Sequence, residues 1–316
     1  MKKPLIILTG PTAVGKTKAS IGLAKALNGE IISADSMQVY KYMDIGSAKI
    51  QPEEMDGIKH YLIDELEPDE EFHVVRFQQM AKQAMEEIYA QNKIPIVVGG
   101  TGFYIQALLY DIDFTDGNED TDYRQEVEAL AAKEGAEALH ALLQEVDPES
   151  ANVIHANNVK RVIRALEFYK QTGERISEHN EQERQKESPY DFCYFVLNDQ
   201  RARLYDRINL RIDQMLETGL IEEVQALKDK GYTKDMVSMQ GLGYKEILDY
   251  LNGVCTLEEA IYILKRDTRH FAKRQLTWFR RERDVIWVDK DRYDYNDETI
   301  LKVMLQHIKE RTNIHV

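Results

Sequence analysis

The segment that most limits how this chain folds is Gly10-Pro11-Thr12-Ala13-Val14-Gly15-Lys16-Thr17. It fits G-x-x-x-x-G-K-[ST] at every fixed position, follows the apolar run 4–9 and opens a helical stretch from Lys16 to Leu27. Glycines let backbone N–H groups curl around an anion, and the start of a helix adds positive potential. Lys16 supplies a point charge, and the Thr17 hydroxyl is of the kind that holds Mg²⁺. A strand, loop and helix of this type sit at the carboxyl edge of a parallel sheet, where ligands of open α/β sheets gather. The motif predicts a bound phosphate chain and leaves the reaction open.

Further apolar runs at 30–35, 94–98, 194–197 and 285–288 read as buried strands, and 73–91 reads as a helix. Strands alternating with helices predict an α/β fold, a P-loop parallel sheet covered by helices on both faces. Residues 116–188 differ. They carry no strand signal, are rich in Ala, Glu, Gln, Lys and Arg, and place Val159, Val162, Ile163 and Leu166 at helical spacing. Asp147-Pro148 and Gly173 punctuate this stretch. The expected division is an α/β core of 1–115 with 189–316, interrupted by an all-helical domain over 116–188.

Charge is unevenly spread. The 316 residues sum to −14, which argues against a generic nucleic-acid coat protein. Between Lys265 and Arg283, however, eight basic and two acidic residues give +6, leaving −20 elsewhere. This basic segment lies in a long helix that opens with a Thr256/Glu259 capping box. One face carries Leu257, Ile261, Leu264, Thr268, Phe271, Gln275 and Phe279; the other carries Arg266, Arg269, Lys273 and Arg280. Trp278 is expected to pack this helix against the sheet. The two cysteines are too few for a disulfide framework, no window of 18 apolar residues exists, and the N-terminus lacks a secretory pattern. The expectation is a reduced, cytoplasmic protein with no membrane association.

The reacting groups are less obvious. Phosphoryl-transfer P-loop enzymes carry an acid on a second apolar strand. Here Ile96-Val97-Val98 ends in Gly99-Gly100-Thr101-Gly102, which leaves Asp35 as the well-placed acid: metal ligand, general base, or cap of the turn at Ser36. Arg207 and Arg211 share a helix face, aimed at an anion or paired with Asp206 or Asp213. Gln38 has the donor and acceptor that reading a base edge requires. Tyr40, Phe103 and Tyr104 line a pocket or fill the core.

Taken in order, Gly10 to Thr17, Asp35-Ser36-Met37-Gln38-Val39-Tyr40, Gly99 to Tyr104, Arg161 to Glu167, Gly243-Tyr244-Lys245-Glu246 and Ala272 to Arg280 resemble the bacterial tRNA dimethylallyltransferase (tRNA isopentenyltransferase) family. The likeness runs from about Ile6 to Asp289, with mild departures at Ser47, Phe103 and Asn157-Asn158. The resemblance implies transfer of a dimethylallyl group from its diphosphate to N6 of the adenosine 3′ to the anticodon. The P-loop would then hold a diphosphate leaving group, with Arg211 and Arg207 assisting and Mg²⁺ on Thr17. Asp35 would act as general base beside Thr101 and Lys16. The anticodon stem-loop would meet Asp35, Ser36, Met37, Gln38, Thr101, Arg124, Lys160, Arg161, Arg164, Gln240, Gly243, Lys245, Arg266, Arg269, Lys273 and Arg280, on a monomer. A P-loop small-molecule kinase, an isopentenyltransferase of free adenine nucleotides and a non-catalytic RNA-binding protein are the competing readings.

Overall fold

The computed structural model describes residues 2–114 and 121–314. In chain order the elements are β1 (Lys3–Thr9), α1 (Lys16–Leu27), β2 (Gly29–Ala34), β3 (His60–Tyr61), α2 (Val74–Ala90), β4 (Ile94–Gly99) and α3 (Gly102–Leu109). Next come α4 (Thr121–Glu134), α5 (Ala136–Val146), α6 (Pro148–Val153), α7 (Val159–Thr172) and α8 (Ile176–Gln185). The chain then forms β5 (Tyr190–Asn198), α9 (Arg201–Glu217), α10 (Leu220–Asp229), α11 (Tyr244–Leu251), α12 (Leu257–Phe279), β6 (Val285–Asp289) and α13 (Asp297–Arg311). They form two compact units, Met1–Leu109 with Pro189–Val316, and Tyr110–Ser188. The boundary expected at 115/116 lies outside the described residues.

The first unit holds one sheet of six parallel strands in the order β3-β2-β4-β1-β5-β6. β1 is central, and Leu5 to Leu8 are essentially inaccessible, because a parallel strand with helices on both faces must be apolar on both. After β1 the chain builds the β2 side of the sheet and later resumes at β5 on the other side. The loop leaving β1 therefore lies at a topological switch point, where such sheets bind ligands. Register sharpens this placement. Ala34 pairs with Gly99 and Gly99 with Thr9, so Asp35, Gly100 and Gly10 leave the sheet in one row. At about 4.8 Å per strand, the row spans about 10 Å.

The regular elements among the second unit's described residues are all helices, α4 to α8, with a core of Val127, Leu139, Leu143, Val162, Ile163 and Leu166. Asp147 knits it together. Its carboxylate accepts from Ser150 N (3.0 Å) and Oγ (2.7 Å), and from Ser177 N (3.0 Å) and Oγ (2.7 Å). One buried acid thus binds the starts of α6 and α8. Burial pushes its pKa up, but these hydrogen bonds outweigh burial and hold the carboxyl below its ordinary value.

Candidate active site

The loop after β1 is shaped by two glycines. Gly10 has φ +145°, and a Cβ there would sit 2.4 Å from Leu197 O of β5. Gly15 has φ +102° immediately before α1. At the start of α1 the first N–H groups have no carbonyl one turn earlier, which leaves donors for an anion. Four cationic side chains converge on this loop or beside it. Lys16 Nζ donates to Gly10 O (3.0 Å) and Pro11 O (2.9 Å). Arg207 Nε donates to Ala13 O (2.8 Å), and Lys290 Nζ donates to Val14 O (3.2 Å). Arg211, one turn after Arg207 on α9, shifts the pKa values of Lys16 and Asp35. Neither arginine is used by the neighbouring acids considered from sequence, since Asp213 pairs with Lys265 (2.5 Å).

Asp35 follows β2. Its Oδ1 accepts from Met37 N (2.8 Å) and Gln38 N (3.4 Å), so it closes the turn as a cap would. Oδ2 carries no such bond. Burial raises the Asp35 pKa, opposed by Met37 N–H, Lys16, Gln38 N–H and Arg211. Burial and then Arg211 lower Lys16 to about 8, while Asp35 raises it. Arg211 is itself lowered, by burial and then by Arg207. A carboxylate and an ammonium thus tune each other beside an anion cradle, an arrangement suited to moving a proton while negative charge builds nearby.

Thr101 starts α3. Its N–H donates to Ala34 O (3.3 Å), the residue before Asp35, and its hydroxyl makes no hydrogen bond among the described residues. As expected, β4 ends in glycine without an acid. A second acid at a strand end does exist, however. Asp199 follows β5, beside β1, and it corrects the reading that Asp35 stands alone. Asp199 is 7% exposed, accepts from Gln200 N (2.7 Å) and faces Arg203 at 3.6 Å.

Ser36, Met37 and Gln38 form the turn beyond Asp35. Met37 packs on Gly241, where a Cβ would lie 2.4 Å from Met37 Cε. The Gln38 amide donates to Ala48 O (3.2 Å) and Ser47 O (3.4 Å), and Ser33 Oγ donates to its oxygen (3.3 Å). The 44–46 loop is held in turn by Glu223, which accepts from Asp44 N (2.9 Å), Ile45 N (2.7 Å), Gly46 N (3.1 Å) and Tyr244 Oη (2.8 Å). Gln240 donates its amide to Lys234 O. Gly243 caps α11, its N–H bonded to Glu246 (2.8 Å), and Lys245 lies 3.4 Å from the Glu246 carboxylate.

The basic residues divide into two kinds. Lys273 and Arg280 are exposed and line a cavity of about 320 Å³ with Asn198, Arg201 and Tyr205. Arg266 is paired with Asp267 (2.8 Å), and Arg269 donates to Asn209 on α9 (2.7 Å), so the basic face of α12 is partly spent inside the protein. In the second unit, Lys160, Arg161 and Arg164 stand exposed on one face of α7, while Arg124 meets Glu128 (3.3 Å) and Glu167 (3.5 Å).

Of the two places the sequence leaves open to the aromatics, Tyr40, fully buried, and Tyr104, 8% exposed, take the core, where both pack around Phe72. Only Phe103 of the three is exposed. Trp278, expected against the sheet, packs on the start of α3, against Gly102 and Phe103. Two residues at the site were missed. Lys290 directly follows β6, a strand that was foreseen, and strand carboxyl ends are where ligand groups gather. Gln275 was placed on the apolar stripe, where a buried amide demands partners.

The sequence model of the IPP transferase family matches residues 38–282. A tRNA dimethylallyltransferase of Lachnoclostridium phytofermentans is 63% identical over 98% of both chains. This chain belongs to the IPP transferase family. Among solved IPP transferase relatives, the full-length tRNA isopentenylpyrophosphate transferase of Bacillus halodurans is 48% identical, with 98% of each chain covered and a TM-score of 0.73. A eukaryotic dimethylallyltransferase acting on tRNA is 31% identical over 98% of this chain and 80% of its own, with a TM-score of 0.85. No described helix is long and apolar enough to cross a membrane.

Proposed function

We propose that this chain transfers a dimethylallyl group from dimethylallyl diphosphate to N6 of the adenosine 3′ to the anticodon of tRNA. The observation that carries the mechanism is the single row of strand ends that brings the phosphate cradle, Thr101 and Asp35 together. As the allylic C–O bond breaks, charge builds on the departing diphosphate. The N–H groups at the start of α1, with Lys16, Arg211 and Arg207, stabilise that charge. The N6 lone pair is delocalised into the adenine ring, so the amine attacks well only as it loses a proton. Asp35 Oδ2 takes that proton, Oδ1 being engaged by the turn. The Thr101 hydroxyl orients the amine.

Thr17, exposed on the first turn of α1, offers a hydroxyl oxygen, the hard donor that would hold a Mg²⁺ there. Such an ion would supply charge neutralisation to the leaving group. The exposed cations of α7, with Lys273 and Arg280, contact the tRNA backbone. The same proposal has the chain acting as a monomer in the cytoplasm, with the helical unit serving tRNA contact.

The test is incubation with undermodified tRNA, Mg²⁺ and dimethylallyl diphosphate, followed by nucleoside mass analysis. The expected product is an adenosine heavier by one dimethylallyl group. Phosphorylation of a small molecule from ATP, with no gain on tRNA, would support a kinase instead.

A further inference from the structure

We infer that Gln275 is a positioning residue that sets the separation between the diphosphate cradle and the acceptor loop at Thr101. The inference rests on the prenyl-transfer reading above. Gln275 lies near the C-terminal end of α12, four residues before Phe279, and is 6% exposed. Its Oε1 accepts from Thr12 N (2.9 Å), and its Nε2 donates to Gly100 O (3.0 Å). The orientation of the amide is fixed, because Thr12 N–H only donates and Gly100 C=O only accepts. The approach is too close for any side chain on the second loop: a Cβ at Gly100 would fall 2.1 Å from Nε2.

The sheet itself links the other neighbours. Thr9 Oγ1 donates to Gly99 O (2.7 Å), and Thr101 N donates to Ala34 O (3.3 Å). The first of these bonds joins strand ends, and the second ties the acceptor loop to the end of β2; neither reaches the phosphate-binding loop. Gln275 alone among these side chains comes from outside the sheet and ties one functional loop to the other. Prenyl transfer needs the allylic carbon and the amine at near-attack distance, and a misplacement of about 1 Å costs about 10²-fold in rate. A buried amide bonded to both loops fixes that distance.

A carboxylic acid tests this directly. Protonated, the side chain of Gln275→Glu reproduces both bonds of the amide, an acceptor for Thr12 N–H and a donor for Gly100 O. Ionised, it keeps the first and repels the second. The ratio of the variant's single-turnover rate to that of the wild type, measured at each pH on undermodified tRNA, will fall at least about ten-fold between mildly acidic and alkaline pH. Taking the ratio removes the titrations of Asp35 and Lys16. The isosteric Gln275→Met variant will be slow, by about 10–100-fold, at every pH, while binding inorganic pyrophosphate nearly as the wild type does.

A Gln275→Met rate within two-fold of the wild type, or a loss of rate matched by an equal loss of pyrophosphate binding, would overturn the role. So would a flat ratio for Gln275→Glu. Should Gln275→Glu fail to fold, the Gln275→Met rate and pyrophosphate affinity decide alone. A wild-type protein that does not prenylate tRNA would sink the functional reading itself, and that outcome is read without any variant.

Discussion

Lys290 Nζ donates to the carbonyl oxygen of Val14 at 3.2 Å, joining the residue after the last strand to the phosphate-binding loop 276 positions earlier. The lysine is 9% exposed, and burial lowers its pKa. A buried ammonium bonded to a loop carbonyl both shapes the loop and adds to its positive potential. Replacing it with Met will raise the KM for dimethylallyl diphosphate by about ten-fold and leave the affinity for tRNA unchanged. Steady-state kinetics at saturating tRNA measure this, and an unaltered donor KM would show that Lys290 only packs.

Asp35→Asn keeps the size of the side chain and an oxygen for the turn, but cannot take a proton at neutral pH. The rate of transfer will fall by about 10²–10⁴-fold, while tRNA binding stays near the wild-type level. Single-turnover kinetics beside a filter-binding isotherm separate the two effects. Full turnover in the variant would remove Asp35 as the base.

The pH profile has a direction on both sides. Asp35 works ionised and its pKa is raised by burial, so the acid limb lies above the usual carboxylate range. Lys16 works charged and is lowered by burial to about 8, so kcat/KM for the donor declines as pH rises through that value. Arg211 lowers both pKa values. Arg211→Gln will therefore move both limbs to higher pH, besides weakening donor binding. Limbs that stay in place would mean that Arg211 does not face these two groups.

Asp147 makes a separate prediction about stability. Its pKa is depressed in the folded protein, so its contribution is complete above the ordinary Asp pKa and fades as pH falls through the folded-state value. Asp147→Ala leaves four donors at the starts of α6 and α8 without their acceptor and will cost on the order of 3 kcal/mol. Denaturant unfolding at neutral pH reads the loss. A variant as stable as the wild type at neutral pH would show that water replaces the carboxylate at no cost.

Exposed cations should report on RNA backbone charge. Lys273→Ala will weaken tRNA binding and flatten its dependence on salt, as will removal of Lys160, Arg161 and Arg164 together. Arg269→Ala will change the salt slope less, since its guanidinium already bonds Asn209. Equal slopes in all of these proteins would assign the exposed cations to ordinary solvation.

The strands were legible because a parallel strand buried on both faces is a short run of Ile, Leu and Val, as at Leu5–Leu8 and Ile96–Val97. α1 and the capping box of α12 were legible for local reasons too, a glycine before Lys16 and a Thr256/Glu259 pair. β3 was not, since two residues, His60 and Tyr61, carry no periodicity and pair only because β2 runs beside them. Lys16 and Asp35 stood out because motif and strand end mark them locally. Gln275, Lys290 and Asp199 owe their places to contacts across the fold. A polar residue on an apolar helix face says that it is bonded, but not to what.

The most direct measurement is a crystal structure with a non-hydrolysable analogue of dimethylallyl diphosphate. Both phosphorus atoms are predicted to lie in the Gly10–Thr17 loop, beside Lys16 Nζ and the N–H groups at the start of α1, with the allylic carbon turned toward Asp35 and Thr101. Phosphorus density seated anywhere else, or an allyl group pointing away from Asp35, would contradict the proposed division of work between the cradle and the carboxylate.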